Sequence, residues 1–281
     1  MTKRLVAGVV LLLVAGAGAL WLAERRRAVP ERPLPTPRTR DERARDVLFE
    51  ELQPVKLANC ELKRFGEKHD GGYLLCGNLL GDVRGAYSYG ISGYDGWGCD
   101  VSKQLNVRVH QYDCFDPKQP VCAGGDTQFH SECIAAEATT DKDGRPFDTL
   151  ERQIEKNGDA AKHLVVKMDV EGAEWASLMQ TPDAVLDRID QIAIEMHDFD
   201  RDVNRFIAVV LKLKRFFHVA HLHFNNYSCM KGLEPFPAQA YEVLFVSKRL
   251  ATVAGPGKVT LPAPQDAPNN PALPDCQAAA K

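Results

Sequence analysis

Residues 164–175, Leu-Val-Val-Lys-Met-Asp-Val-Glu-Gly-Ala-Glu-Trp, decide the fold. Their first part is apolar without alternation, which is typical of a strand buried on both faces of a parallel sheet. After Gly172 the spacing becomes helical. Asp169 is therefore expected at the carboxyl end of a central strand, where open α/β sheets bind ligands. A second interpretation stays open, in which Asp169 only caps the next helix.

The composition does not favour nucleic acid as a partner. The chain has 281 residues and a formal net charge of −3. A near-neutral balance gives no reason to expect a nucleic-acid partner. The length allows one large domain with appendages, and the sequence does not indicate an oligomeric state.

Eight cysteines are scattered along the chain, and no two have C-x-x-C spacing. The pattern therefore predicts no zinc or redox motif of that kind. Cys122 and Cys133 bracket a glycine-rich loop and are the best candidates for a disulfide in an oxidising compartment. Cys76, Cys99 and Cys114 lie in apolar or strand-like surroundings, which favours buried thiols.

The N-terminal segment, residues 1–24, predicts a membrane anchor. Leu5 to Ala23 is uncharged and, as a helix, would be about 28 Å long, close to the hydrocarbon thickness of a bilayer. A cleavable signal peptide is the alternative. Two positive residues precede this run and six follow it: Lys3 and Arg4, then Arg25, Arg26, Arg27, Arg32, Arg38 and Arg40. The positive-inside rule predicts a single-pass protein whose C-terminal domain is cytoplasmic.

The rest of the chain divides into three parts. Residues 25–46 are rich in Pro and Arg and predict a solvated linker. Residues 47–250 alternate strand-like and helix-like segments, which predicts a three-layer α/β sandwich with a mostly parallel sheet. Residues 251–281 are rich in Pro, Ala and Asn and predict a disordered tail.

A βαβ unit is predicted near the start of the domain. A strand runs into the glycines around Gly90, a helix follows from about Gly98, and a second strand ends at Asp116. This is the layout of a nucleotide-binding unit. The alternative is an ordinary tight turn between a strand and a helix.

The order of motifs resembles class I S-adenosylmethionine-dependent methyltransferases, most closely the FkbM-like group and its methyltransferase-like relatives. The resemblance rests on Ser88-Tyr89-Gly90-Ile91, Trp97-Gly98-Cys99-Asp100, Phe115-Asp116-Pro117, Lys167 to Glu174 and Ile194-Glu195-Met196-His197, with Asp70-Gly71-Gly72-Tyr73 before them. It covers roughly residues 60–250. It implies a Rossmann-like, seven-stranded sheet whose last strand is antiparallel.

The resemblance also implies site residues for S-adenosylmethionine. The loop of Gly90, Ser92 and Gly93 would hold the methionine part, and Asp116 would bind the ribose hydroxyls. Asp169 would face the cofactor amine or the substrate. Ser92 departs from the usual GxGxG turn, because it adds a Cβ near the cofactor.

Methyl transfer to a hydroxyl needs an aligned nucleophile and a proton acceptor. Asp169, Glu195 and His197 are expected at neighbouring strand ends, and His197, with an ordinary pKa near neutral, is the candidate base beside Asp169. The alternative is that His197 hydrogen-bonds a loop. Lys167 shares a strand face with Asp169 and is expected to pair with it.

Two groups of residues have metal-binding side chains, but neither pattern predicts a metal site. Asp169, Glu195 and His197 could bind a divalent ion, but their spacing is not specific. His221 and His223 with Cys229 leave a fourth zinc ligand unassigned, which favours structural histidines.

Two functions follow. The first is O-methylation of a small-molecule or glycan hydroxyl at a membrane. The second is an exported, disulfide-bonded domain that keeps the fold but binds a ligand without catalysis. The acceptor pocket would come from loops near 118–144 and 225–240, whose residues identify no ligand.

Overall fold

The computed structural model describes residues 38–276, and these contain a seven-stranded sheet. The described strands are β1 (Val55–Leu57), β2 (Leu62–Gly66), β3 (Gly72–Cys76), β4 (Gly85–Tyr89), β5 (Val109–Tyr112), β6 (Thr127–His130), β7 (Cys133–Ile134), β8 (Thr139–Thr140), β9 (Pro146–Asp148), β10 (Leu164–Met168), β11 (Ile189–Met196), β12 (Phe217–Phe224), β13 (Tyr241–Ser247) and β14 (Val253–Lys258). The strand order of the seven-stranded sheet is β12-β13-β11-β10-β4-β5-β6.

One α-helix precedes β1, and the other described helices lie between strands along the chain. The described α-helices are α1 (Arg40–Glu51), α2 (Gly96–Leu105), α3 (Leu150–Lys156), α4 (Glu174–Gln180), α5 (Asp183–Leu186) and α6 (Val203–Leu213). Short 3₁₀ turns occur at Gly77–Leu79, Phe199–Arg201 and Asn226–Ser228.

The directions of the strands in the sheet are as predicted. Strands β6, β5, β4, β10 and β11 pair in parallel, while β13 is antiparallel to both β11 and β12. The prediction of a mostly parallel, seven-stranded α/β sheet with an antiparallel last strand is therefore confirmed.

Strand β10 is the central strand of the sheet, and all five of its residues are buried. Val166 and Met168 pack in an apolar cluster with Trp175 on one face of the sheet. Val165 packs with Trp97 in a second cluster on the other face. Because side chains alternate along a strand, the unalternating apolar sequence contributes side chains to both clusters.

The register of the central strands determines where the site forms. Met168 at the end of β10 pairs with Tyr89 at the end of β4 and with Ile194 of β11. The residues that follow these positions therefore emerge at one edge of the sheet. A second small sheet, the β2–β3 hairpin, is tied to β11 by Gln191, whose side-chain amide hydrogen-bonds the Cys76 backbone in both directions.

The boundaries of the predicted linker and tail need correction. Helix α1 begins at Arg40, inside the predicted linker, because Thr39 and Glu42 form a capping box. The predicted disorder of residues 251–281 is wrong for residues 251–276. Strand β14 pairs with β1, and the buried Asp266 carboxylate lies 2.8 Å from His221.

Four disulfides account for all eight cysteines: Cys60–Cys76, Cys99–Cys122, Cys114–Cys133 and Cys229–Cys276. The predicted Cys122–Cys133 bridge is wrong, and so is the interpretation of three cysteines as buried thiols. The folded chain brings Cys99 of α2 to the loop after β5 and Cys114 to β7. Sequence spacing does not reveal either approach.

The predicted anchor, residues 5–23, lies outside the described residues. Within residues 38–276, no helix has the length and apolar character needed to cross a bilayer.

Candidate active site

A cavity of about 500 Å³ opens at the carboxyl ends of β4, β5 and β10. It lies where ligands bind in open α/β sheets, because the crossovers leave in opposite directions from this edge. Its lining consists of Asp70, Tyr89, Gly90, Ser92, Tyr112, Asp113, Phe115, Cys133, Ile134, Phe147, Asp169, Val170, Glu171 and Ala173.

The turn after β4 forms one wall of the cavity. Gly90 has a φ of +70°, and a Cβ there would lie 1.6 Å from the Asp169 carbonyl oxygen. This position needs glycine, since both the backbone conformation and the close approach exclude a side chain. Ser92 also adopts a positive φ of 46°, and its backbone N–H donates to Asp113 Oδ2 at 2.8 Å. The expected steric effect of Ser92 is therefore accommodated by a left-handed backbone.

The acid at the end of β5 is Asp113 rather than Asp116. The strand ends at Tyr112, and Asp113 follows it directly into the cavity wall. Its carboxylate accepts the backbone N–H groups of Ser92, Phe115 and Asp116. A carboxylate can accept about four hydrogen bonds, so capacity remains for one more donor.

Asp116 lies beside the turn and is not part of the cavity lining. Its Oδ2 would be 2.8 Å from a Cβ built on Gly93. The prediction that Asp116 is the strand-end acid is thus wrong in position, because the strand stops three residues earlier than the apolar pattern suggests. Gly93 itself contributes a positive φ of +73° to the turn.

Lys167 links the two central strands at this edge. Its Nζ donates to the carbonyl oxygens of Tyr89 at 3.1 Å and Gly90 at 2.9 Å, and it lies 3.4 Å from Asp169 Oδ2. The expected pairing of Lys167 with Asp169 is confirmed. The same lysine fixes the start of the glycine turn, so strand β10 positions both the acid and the turn.

Tyr73 of the small hairpin was missed as a site residue. Its hydroxyl lies 2.9 Å from Asp169 Oδ2 and 3.2 Å from Glu195 Oε2. Burial, followed by the charges of the two carboxylates, raises the pKa of Tyr73 well above its usual value. The phenol therefore stays protonated and joins the two carboxyl groups. The sequence signal was its place after two glycines in Asp70-Gly71-Gly72-Tyr73.

Glu195 is buried, with 5% of its side chain exposed. Its Oε1 accepts a hydrogen bond of 2.6 Å from Asn225, another residue that the sequence did not single out. Burial raises the pKa of Glu195, although the nearby His197 opposes that effect. Asn225 and Tyr73 thus satisfy a carboxyl group that would otherwise be costly to bury.

His197 lies immediately after β11 and is held by Glu174. Glu174 Oε1 accepts the His197 backbone N–H at 2.7 Å and lies 3.3 Å from its Nδ1. The opposite ring nitrogen, Nε2, faces Asp169 Oδ1 at 3.8 Å, Glu171 Oε2 at 3.7 Å and Glu195 Oε1 at 3.6 Å.

Burial would lower the pKa of His197, but the nearby carboxylates of Glu174 and Glu195 outweigh that effect and raise it to about 11. The ring is then protonated at neutral pH. It cannot accept a proton in that state, which is opposite to the expected role of base.

The structure thus brings Asp169, Glu195 and His197 together as expected. Gly90, Ser92 and Asp169 line the cavity, while Gly93 of the same turn and Asp116 are not part of the lining. Compared with protein-family models and with characterised proteins, the chain gives no match.

Proposed function

We propose that this chain is an S-adenosylmethionine-dependent methyltransferase that transfers the methyl group to a hydroxyl of a small molecule or a glycan. The observation that carries the proposal is the cavity at the ends of β4, β5 and β10, bounded by the Gly90 turn and by Asp113. It supports the resemblance in the sequence, because residues from four of the motifs that carry that resemblance line this one cavity.

The residues present fit the cofactor. Gly90 lets the turn after β4 pack directly against the Asp169 backbone, which places the turn and Asp169 together at the cavity wall. Asp113 retains acceptor capacity for one ribose hydroxyl. Phe115, Ile134 and Phe147 supply an apolar wall for the adenine ring. When bound, the cofactor would supply an activated methyl group on a sulfonium.

Asp169 is the candidate proton acceptor for the hydroxyl. Its side chain is 24% exposed and lines the cavity, whereas Glu195 is buried. A carboxylate at this position could hold the hydroxyl in line with the methyl group and accept its proton during displacement. The imidazolium of His197 would act as a positioning group, since it faces both carboxylates.

The acceptor is expected to be neutral or cationic rather than anionic. Asp70, Asp113, Asp169 and Glu171 all line the cavity. Their combined charge disfavours a phosphate or carboxylate acceptor near them, because like charges at short range repel strongly. A neutral sugar or alcohol hydroxyl meets no such repulsion.

Calorimetry with S-adenosylhomocysteine tests the proposal on the intact, oxidised chain. We expect saturable binding, weakened at least about tenfold by Asp113→Asn, because a charge-assisted hydrogen bond is lost. Asp116→Asn is the matched control and should bind as the unaltered chain does. Absence of binding to the intact chain would refute the proposal.

The four disulfides favour a second candidate, an exported binding domain without catalysis. Such bridges persist in oxidising compartments, whereas the cytosol keeps thiols reduced. They also stand against the predicted cytoplasmic placement of the domain. A topology reporter fused after Lys281, combined with thiol counting on the protein isolated from cells, separates the two. A cytosolic reporter with eight free thiols would contradict the exported candidate.

A further inference from the structure

Three side chains with metal-binding atoms meet at the ends of the adjacent strands β10 and β11. We propose that Asp169, Glu195 and His197 bind one divalent cation. One ligand atom from each lies within 4.8 Å of the other two. Asp169 also lines the cavity, so an ion bound here would be reachable by a ligand in that cavity.

The distances between these atoms suit an ion. His197 Nε2 lies 3.6 Å from Glu195 Oε1 and 3.8 Å from Asp169 Oδ1. Ligands about 2.1 Å from an ion lie about 3.0 Å apart at a right angle and about 4.2 Å apart across it. The observed separations fall between these values, so an ion fits with small side-chain movements.

The orientation of His197 is a second, separate observation. Glu174 contacts Nδ1, as a carboxylate usually does behind a metal-bound histidine. This contact leaves the lone pair of Nε2 available to a metal ion. Nε2 faces three carboxylates at 3.6 to 3.8 Å, beyond the reach of a hydrogen bond to any of them. Simple ion pairs would close to about 2.8 Å. Groups arranged around a shared point but kept apart are typical of metal ligands.

The local charge also calls for a cation. Asp169, Glu171, Glu174 and Glu195 all approach one imidazole. The ammonium group of Lys167 lies beside them, and it donates two hydrogen bonds to backbone carbonyls. Buried carboxylates are stable when paired or when they coordinate metal. The exposed Glu171 could complete the coordination from the cavity side.

Two carboxylates with one imidazole, and no thiolate, favour Mn²⁺ or Mg²⁺ over softer ions. The cation would replace the proton on Nε2. Binding itself is independent of methyl transfer. Its role in holding and acidifying the acceptor hydroxyl rests on the proposed function, with the ion as Lewis acid.

Mn²⁺ is the probe that tests this site. The intact, oxidised chain is titrated with MnCl₂, and bound Mn²⁺ is measured by electron paramagnetic resonance and by metal analysis after desalting. We expect one Mn²⁺ per chain. His197→Gln and Glu195→Gln should each weaken binding at least about tenfold.

His163→Gln is the matched control, because His163 also pairs with a buried carboxylate, Asp190, outside the site. It should bind Mn²⁺ as the unaltered chain does. If Glu195→Gln fails to fold, Asp169→Asn replaces it, since Asp169 is partly exposed. Equal Mn²⁺ binding by the site variants and the control, or no binding by the unaltered chain, would overturn the proposal.

Calorimetry with S-adenosylhomocysteine in the absence of metal keeps the two proposals apart. Mn²⁺ binding without cofactor binding would support the metal site and contradict the methyltransferase. Cofactor binding without Mn²⁺ binding would do the reverse.

Discussion

Glu174 holds His197 at two points, accepting its backbone N–H at 2.7 Å and lying 3.3 Å from Nδ1. The first residue of α4 thereby fixes the residue that follows β11. The glutamate is fully buried and also accepts the Gly172 N–H. This contact links the turn after β10 to the end of β11, and it sets which nitrogen of the ring faces the other carboxylates.

Glu174→Gln should destabilise the fold by about 1–3 kcal/mol, because a buried acceptor of several hydrogen bonds is lost in part. It should also weaken Mn²⁺ binding by roughly 10–100-fold, as loss of an orienting partner does in metal sites. Urea unfolding and the Mn²⁺ titration measure the two effects. Glu51→Gln, which removes a half-exposed pair with Lys214, is the control and should cost less than about 1 kcal/mol. Equal costs for both variants would contradict the role assigned to Glu174.

Gly90→Ala should abolish cofactor binding and destabilise the fold by roughly 3 kcal/mol or more, because the new methyl group meets the Asp169 carbonyl. Gly144→Ala is the control, since Gly144 has a φ of +80° and nothing within 4 Å of a built Cβ. It should show only the strain of the backbone, about 1–2 kcal/mol. Denaturant unfolding and S-adenosylhomocysteine calorimetry compare the two. Similar losses in the two variants would show that Gly90 is needed only for its positive φ and not for its close contact with Asp169.

His223 should make stability depend on pH. Burial lowers its pKa, but Glu242, with Asp266 and Asp275, outweighs that effect and raises it to about 9. A raised histidine pKa stabilises the fold fully below its unfolded value, about 6.5, and this contribution disappears as the pH rises through 9. The free energy of unfolding should therefore fall between pH 6.5 and 9 by about 3 kcal/mol more in the unaltered chain than in His223→Gln.

His218, on the same strand, has a pKa that is shifted in the opposite direction. Burial lowers its pKa, so the ring is neutral in both states above pH 6.5. His218→Gln should leave the slope of stability over this window unchanged. Parallel slopes for the unaltered chain and His223→Gln would contradict the assignment to His223.

The Cys229–Cys276 bridge ties the segment that follows β13 to the loop between β12 and β13. Replacing both cysteines with serine should cost about 4 kcal/mol on chain-entropy grounds and expose residues 251–276 to protease first. The Cys60–Cys76 bridge closes a shorter loop elsewhere in the chain. Replacing both of its cysteines with serine should leave residues 251–276 protected. Limited proteolysis with mass spectrometry reports the first cut. An unchanged cleavage pattern in the Cys229/Cys276 variant would contradict this role of the bridge.

The central sheet and one half of the site follow from local sequence. The apolar run before Asp169 feeds two buried layers, so its pattern alone identifies a central strand. Glu195 and His197 are two residues apart beside the end of a neighbouring strand, so their meeting with Asp169 follows from parallel pairing.

The rest depends on contacts distant in sequence. Cys99 and Cys114 look like ordinary core residues until the loops that carry their partners are placed. Tyr73 reaches the site because Gln191 fixes its hairpin to β11. Asp113 and Asp116 compete for one role, and only the end of β5 at Tyr112 decides between them. Residues 251–276 have the composition of a tail, but a buried ion pair and a disulfide order them.

A crystal structure of the intact, oxidised chain soaked with S-adenosylhomocysteine tests the central claim most directly. We expect the ligand in the cavity between the Gly90 turn and Asp169, with one ribose hydroxyl donating to the Asp113 carboxylate. An empty cavity at saturating ligand, or a ligand bound away from these residues, would contradict it.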